Sequence, residues 1–423
     1  MTEAGEADRL RRDVGWNLVP LALLAIVGLG LKFFIGGRWG EAALGSFNLV
    51  TIAFLAFAVL GPFGLQYSVL RAIAEGPDDR DRVAAIVVGA LVPNTVLAAA
   101  TTAVFLALSG PIARLVESDA VAEGMAWAAP GLFCFGINKV LLCVVNGLRR
   151  MRAFAVYTSL RYLLIAVGLG LAGAWGLEAD RLPAIWSFVE GTLLLVLTGE
   201  LASQVSWSRR HGWLAWSREH LGFGARGVLA TLASEVNPKL DVWMVGVAMT
   251  DAQVGIYSLA SALNEGAMQL AVVLQNNLNP VIARDLAGDK RAEVEALAKR
   301  TRRWFVPALV AVCAISAASY PLIVPWLIGN ATFVDGAVPF AILMAGLALA
   351  SRYLPFTQIL LMAGRPGWHT IYVLAIVMVH FGGNVVLIPA FGLSGAGLAL
   401  ATSVVASAVF LRVFARWRLG VRL

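Results

Sequence analysis

Charge is scarce in this 423-residue chain: Asp, Glu, Lys and Arg together make up 14% of it, against roughly 25% in a soluble domain. Cysteine is scarcer still, with three residues. Cys134 and Cys143 fall inside one apolar run and Cys313 inside another, so neither a disulfide framework nor a CxxC metal site is written here. Four histidines form no zinc-type pair. There is also no GxSxG elbow and no phosphate-cradling Gly-Lys-Ser/Thr loop. These absences exclude the commoner hydrolytic, metal-dependent and nucleotide-dependent chemistries. What is abundant is apolar surface: 59% of residues, with a mean hydropathy of +0.78, where a soluble chain has about 45 to 50%. At about 20 residues per helical crossing, that content supplies roughly twelve crossings. The remainder leaves no room for a water-soluble catalytic or nucleic-acid-binding domain. A net charge of +7 is therefore read from its distribution and not as a sign of nucleic acid.

A hydropathy window of about 19 residues places crossings near Gly15 to Ile35, Gly45 to Leu70, Val83 to Leu108, Met125 to Leu148, Phe154 to Gly176 and Leu182 to Val205. Six more fall near Leu221 to Met249, Val254 to Val281, Trp304 to Leu327, Val338 to Met362, Trp368 to Pro389 and Gly395 to Phe414. The charged first residues carry no small-residue cleavage site ahead of Gly15, so the first run is expected to be a retained crossing and not a signal peptide. Cytoplasmic connections keep Lys and Arg. With both termini inside, most of the 33 basic residues fall on that side, including Arg9, Arg11 and Arg12, Arg149, Arg150 and Arg152, Arg209 and Arg210, the stretch from Arg284 to Arg303, and Arg412 to Arg422. Arg38, Arg114 and Arg181 fall outside. Trp16, Trp39, Trp175, Trp207, Trp304, Trp326, Trp368 and Trp417 lie near run ends, as an interfacial aromatic belt requires.

The chain also reads as doubled. Gly45-Ser46-Phe47 opens the second run and Gly255-Ile256-Tyr257 the eighth, while Pro111 and Pro321, the same interval apart, each follow the next run. Six crossings per half preserve orientation. The expected architecture is thus an all-α integral membrane protein with about twelve transmembrane helices in two six-helix lobes, 1–220 and 221–423, related by a parallel pseudo-two-fold with a site between them.

In the C-terminal half, Gly364-Arg365-Pro366, then Asn384-Val385-Val386-Leu387-Ile388-Pro389, then Gly392-Leu393-Ser394-Gly395-Ala396-Gly397 follow one another. Together with Val254-Gly255-Ile256-Tyr257-Ser258-Leu259-Ala260, Asn279-Pro280-Val281-Ile282-Ala283 and Asp241, this wording resembles the polysaccharide transporter (oligosaccharide flippase) family of the MATE-like exporter superfamily. The resemblance implies two six-helix lobes forming a V, an alternating central cavity, and flipping of polyprenyl-diphosphate-linked oligosaccharide from the cytoplasmic to the external leaflet. Twelve runs argue against the lipid II branch, which looks longer. They do not separate the drug-exporting members. The longest basic connection, Ala283 to Arg303, lies inside the second half, unlike the major facilitator layout.

An ionised side chain at mid-bilayer costs about 2.5 to 3.5 kcal/mol on insertion scales, so each must face a wet cavity or a partner. Lys139, Arg161, Lys239 and Arg352 fall within runs, two in each half. Their functional reading is a cationic cavity, because a diphosphate needs several donors or point charges to replace its water. The competing reading is snorkelling near helix ends, which fits Arg161 better than Lys139. Glu235 and Lys239 stand in the favourable order for an intrahelical ion pair, which would leave Asp241 and Glu265 as unmatched carboxylates able to take a coupling proton or Na⁺. Glu190 is the equivalent candidate in the first half, or else a partner for Lys139. On the eighth run, Ser258, Ser261, Glu265, Gln269, Gln275, Asn276 and Asn279 draw a polar stripe. It is either a sugar path or a set of interhelical hydrogen bonds. His380 is either a packing residue or a proton relay.

Asp78, Asp79 and Asp81 echo the Asp-rich Mg²⁺-diphosphate motif of membrane prenyltransferases, but those enzymes need two facing clusters and there is one here. A solvated turn is the simpler reading. The sequence therefore reads as a flippase and not an enzyme, without a resident cofactor or metal beyond a coupling Na⁺ or H⁺. It is expected in the plasma (cytoplasmic, inner) membrane with both termini cytoplasmic. Its partners would be lipid-linked oligosaccharide, membrane lipids and a polysaccharide polymerase or glycosyltransferase. The alternatives are a cation-coupled multidrug exporter and, behind it, a membrane-embedded prenyl or sugar transferase.

Overall fold

The computed structural model describes residues 23, 26–76, 78–202, 212–236 and 239–421, the side chains of 226–236, 280 and 366 aside. All regular structure among them is helical. In hydrocarbon every backbone N–H and C=O must be satisfied within its own segment, and runs of Leu, Val, Ala and Ile without interruption do this as α-helix. The elements are α1 (26–38), α2 (Gly40–Phe57), α3 (Leu65–Ala74), α4 (Arg80–Leu115), α5 (Asp119–Gly147), α6 (Met151–Ala174), α7 (Ala184–Ala202), α8 (Trp213–Val236), α9 (Leu240–Ala248), α10 (Asp251–Ala287), α11 (Arg291–Ile328), α12 (Ala337–Ala350), α13 (Ile359–Met362) and α14 (Pro366–Phe414). Of the residues named above, Arg9, Arg11, Arg12, Trp16, Trp207, Arg209, Arg210 and Arg422 lie outside the described residues.

Eight of the described helical segments are long and apolar enough to cross a membrane. Of the about twelve expected runs, the first, seventh and eighth are not among these eight, and the last two are merged into one; two of the runs that are among them are interrupted near one end. The second run is broken at Gly61-Pro62-Phe63-Gly64, where Phe63 and Gly64 take φ of 49° and 79° and Pro62 cannot donate to a helix. The tenth run is broken between α12 and α13 around Pro355. The seventh run falls on α8 and α9, with residues 237 and 238 between them outside the described set. The eighth, α10, carries its polar stripe. The eleventh and twelfth run together in α14, which reverses at Gly392 (φ 59°, ψ −135°). A Cβ on Gly383 would meet the Ala399 Cβ at 3.1 Å, whereas sixteen residues of continuous helix would hold those positions about 24 Å apart. α14 is therefore a helical hairpin turning on a single glycine.

The described residues group into two compact units, one within Met1–Trp39 and Ser46–Lys239, the other within Gly40–Gly45 and Leu240–Leu423. In the first, α4, α5 and α7 pack around Val87, Val140, Leu141, Val144, Leu193 and Leu197, all buried. α3 and α8 complete that unit, with the Ser68 hydroxyl and His220 Nδ1 2.8 Å apart in its interior. The acidic turn is explained by capping: the Asp79 side chain accepts from the Arg82 N–H at 3.0 Å and starts α4.

In the second unit, α12 lies along the α14 hairpin, and α10 runs past α9, α12 and α13. Ile282, Phe356, Ile359, Leu360, Tyr372 and Leu411 form its core at one end. Thr250 and Gln253 make a reciprocal capping box that starts α10. One turn on, Gly255 lies against the start of α2. A Cβ at Gly255 would sit 1.9 Å from the Glu41 carbonyl oxygen, and a Cβ at Gly45 would sit 1.8 Å from that of Asp251. Only hydrogen fits at either position. We expect Gly45→Ala to lower thermal stability in detergent by about 1 to 3 kcal/mol, the cost of overpacking. Gly266→Ala, at a position on α10 with open space around it, should be neutral or slightly stabilising.

Candidate functional site

In the first unit the charged residues gather where α5, α6 and α7 meet. Glu190 on α7 is fully buried, and a carboxylate there must find its compensation inside the protein. Arg161 on α6 supplies it: Nε lies 2.8 Å from Oε1, and Nη2 donates to Oε2 at 3.1 Å. Asn138 on α5, also fully buried, donates to Oε2 at 2.8 Å and to the Glu190 carbonyl at 2.9 Å. One turn earlier on α5, Phe135 presents its ring to two cations, the Arg161 guanidinium at 5.0 Å and the Lys139 ammonium at 5.5 Å from the centroid. Attraction to the face of the ring holds both cations. The structure thus brings Lys139, Arg161 and Glu190 together and gives Glu190 an arginine as its ion-pair partner.

In the second unit a carboxylate is held differently. Asp241, in the first turn of α9, is fully buried. It accepts from the Tyr257 hydroxyl at 2.8 Å and from the Ser261 hydroxyl at 3.4 Å, both on α10. Its Oδ1 has no hydrogen-bond partner among the described residues. His380 on α14 lies within electrostatic reach of Asp241. Its Nε2 is likewise without a partner among the described residues, and its carbonyl accepts from Asn384 Nδ2 at 3.0 Å. Glu265, half-buried on α10, lies within electrostatic reach of Tyr257. Neutral donors therefore surround Asp241, where a guanidinium answers Glu190.

The remaining expected residues are Lys239, at the end of the first unit, and others spread through the second. Lys239 is half-buried in the short turn ahead of α9; the side chain of Glu235, its expected partner, lies outside the described residues. The polar stripe of α10 divides. Gln275 donates to the Thr357 hydroxyl, and Asn279 donates to Gln358 Oε1 at 2.7 Å, so these two tie α10 to the broken segment before α13. Gln269 and Asn276 are exposed. Arg352 does not sit in mid-span: the chain leaves the helix at Ala350, and Arg352 lies in the turn that follows α12. Its guanidinium faces Tyr353 at 5.6 Å, and the Arg302 guanidinium faces the same ring at 5.5 Å.

Reading by charge alone passes over several residues that the geometry brings in. Lys32 on α1 donates to Asn48 Oδ1 on α2 at 2.7 Å within the first unit. Its signal was a single ammonium inside an otherwise apolar run. Asn138 and Tyr257, the direct partners of the two buried carboxylates, are neutral, and only their places next to Lys139 and one turn ahead of Ser261 hint at a role. Among the described residues there is no group of three or more His, Cys, Asp or Glu side chains able to hold a metal ion.

Comparison with known proteins places this geometry. A family model described as polysaccharide biosynthesis protein matches residues 42–331. A probable low-salt glycan biosynthesis flippase, Agl15 of Haloferax volcanii, is 20% identical over 399 residues, covering 92% of this chain and 81% of that protein. Among solved structures, an inward-facing multidrug resistance MATE family transporter of the MOP superfamily superposes with a TM-score of 0.79 at 15% identity, covering 96% of this chain and 98% of the other. The lipid II flippase MurJ in an inward closed conformation gives 0.74 at 12% identity, covering 95% and 87%. With more than half of its length matched by the family model, this chain belongs to the polysaccharide biosynthesis protein family, and its fold is the one seen in those MATE and MurJ structures.

Proposed function

We propose that the chain is a secondary transporter that flips a polyprenyl-diphosphate-linked oligosaccharide from the cytoplasmic to the outer leaflet of the plasma membrane, for assembly of a cell-surface polysaccharide. The observation that carries this reading is the cluster of Lys139 and Arg161 over one phenylalanine ring with a single carboxylate between them. Two cations gathered in an apolar span raise the local positive potential, which draws an anionic group. A diphosphate is such a group. The family match and the flippase named in Haloferax volcanii support the same cargo class.

In this reading the chain crosses the membrane twelve times with both termini cytoplasmic. The eight recognisable spans are joined by α1, by the broken α8 and α9, and by α10, and the α14 hairpin counts as two. Two six-helix lobes follow, and the matching places of Gly45 and Gly255 support a duplicated origin. Lys139, with Arg161 beside it, meets the diphosphate from the first lobe, and Lys239 supplies a cation in the second. The exposed Gln269 and Asn276 offer hydrogen bonds to sugar hydroxyls. No bond is made or broken, so the chain is not an enzyme. A glycosyltransferase supplies the cargo and a polymerase takes it up.

Transport against a gradient needs a coupling ion. Asp241 is the candidate, because its neutral donors leave its charge uncancelled and a proton or Na⁺ would cancel it. Glu190 enters the same scheme through Arg161: neutralising Glu190 releases the guanidinium for an anion.

Three outcomes follow. Lys139→Ala should lower flipping of a labelled polyprenyl-diphosphate glycan in proteoliposomes about ten-fold or more, with unchanged membrane insertion. A variant that instead loses efflux of cationic dyes while flipping nothing in its wild-type form would favour the multidrug alternative. Arg161→Met should destabilise the protein by about 3 to 5 kcal/mol, because it strands a buried carboxylate. Arg161→Met combined with Glu190→Gln should regain most of that loss, as read by thermal unfolding. Asp241→Asn should flatten the dependence of transport on the proton or Na⁺ gradient, whereas Glu190→Gln should shift it. An unchanged profile in both variants would remove ion coupling from these carboxylates.

A further inference from the structure

Arg352 belongs to a second cluster of positive charge, one that the flipping scheme leaves unused. With Lys299, Arg302 and Arg303 of α11 it lines a shallow recess of about 430 Å³ whose other walls are Val306 and Pro307. No carboxylate lines it, and none of the four cations has an ion-pair partner among the described residues. The Arg302 and Arg352 guanidinium groups face the one Tyr353 ring, at 5.5 and 5.6 Å from its centroid, and Arg302 Nε donates to the Arg352 carbonyl at 3.4 Å. Arg302 Nη2 is buried with no hydrogen-bond partner among the described residues. An orphaned charged donor of this kind costs free energy until an acceptor reaches it.

The order of residues on α11 says what that acceptor is attached to. Lys299, Arg302, Arg303, Val306 and Pro307 step by three and four, which sets them on one face of the helix. Along that face the chemistry changes once, from basic to apolar. It stays apolar through the exposed Val310 and Ala314. From Arg303 to Ala314 is about 16 Å of helix, the scale of an acyl chain below its headgroup. Trp304, beside the basic residues and 55% exposed, marks the level of the membrane interface. A soluble anion would have use for the charges but none for the apolar continuation.

We propose that this recess is a binding site for an anionic phospholipid, its phosphate held by Arg302, Arg352, Lys299 and Arg303 and one acyl chain lying along the α11 face from Val306. The inference is independent of the cargo assigned above. It concerns the second unit alone and survives if the protein flips something else.

Native mass spectrometry of the full chain, released from bilayers of equal phosphatidylglycerol and phosphatidylcholine, tests it. The wild type should retain phosphatidylglycerol over phosphatidylcholine, and raising salt from about 0.1 to 0.5 M should narrow that preference as the charges are screened. Arg302→Gln with Arg352→Gln should reduce the preference about ten-fold or more, since each basic residue near an anionic headgroup contributes about a five-fold factor. Arg300→Gln, which changes a neighbouring charge outside the recess, should leave it unchanged. Equal retention of the two lipids by the wild type would overturn the proposal even if the double variant fails to fold. Inorganic phosphate binding without lipid preference, or equal loss in the Arg300 variant, would overturn it too.

Discussion

A carboxylate removed from water has to be compensated by something the protein itself provides, and the two units of this chain meet that requirement in opposite ways. Glu190 is met by a guanidinium and an amide. The pair is closed, and its breaking costs several kcal/mol because a stranded charge would be left behind. Asp241 is met by two hydroxyls. Hydrogen bonds lower the cost of burying that charge without cancelling it. The distinction organises much of the rest: α5, α6 and α7 are drawn together by the closed pair, while α9, α10 and the first half of α14 surround the open one.

The cationic side shows the same economy. Four cations within apolar runs suggested a single positively lined chamber, but their neighbours give them different work. Arg161 is largely consumed by Glu190, and Lys139 meets it only through the ring of Phe135 that both face. Arg352 leaves the span altogether because α12 ends at Ala350, and it joins a basic group on α11 instead. Charge in a sequence is a property of residues. Whether it is available to a ligand depends on which other helix delivers the opposite sign.

This is also where sequence and structure part company. Apolar runs, the Lys and Arg bias and the motif wording between Gly364 and Gly397 made the helical membrane class and the family readable, since these depend on composition and local order. The breaks at Gly61-Pro62 and around Pro355 were visible as residues but not as breaks, because hydropathy averages over them. The arginine partner of Glu190 was not readable: the sequence suggested Lys139, and only the packing of α6 against α7 brings Arg161 to it. The division of the α10 stripe into tied and exposed members has the same origin, since Gln275 and Gln269 differ in nothing but the segment that passes beside them. Arg302 went unremarked as one basic residue among many until Tyr353 and Arg352 were placed against it.

The reversal at Gly392 has a mechanical side. Two long helices meet there without an intervening loop, so the joint has no slack. The near half carries His380 and Asn384 beside Asp241. The far half rests its Ala401 against Gly346 of α12 so tightly that a Cβ on that glycine would lie 2.6 Å away. A small displacement of the near half cannot be absorbed at the bend. It is handed on, through a lever pivoting on one residue, to α12 and the turn beyond it.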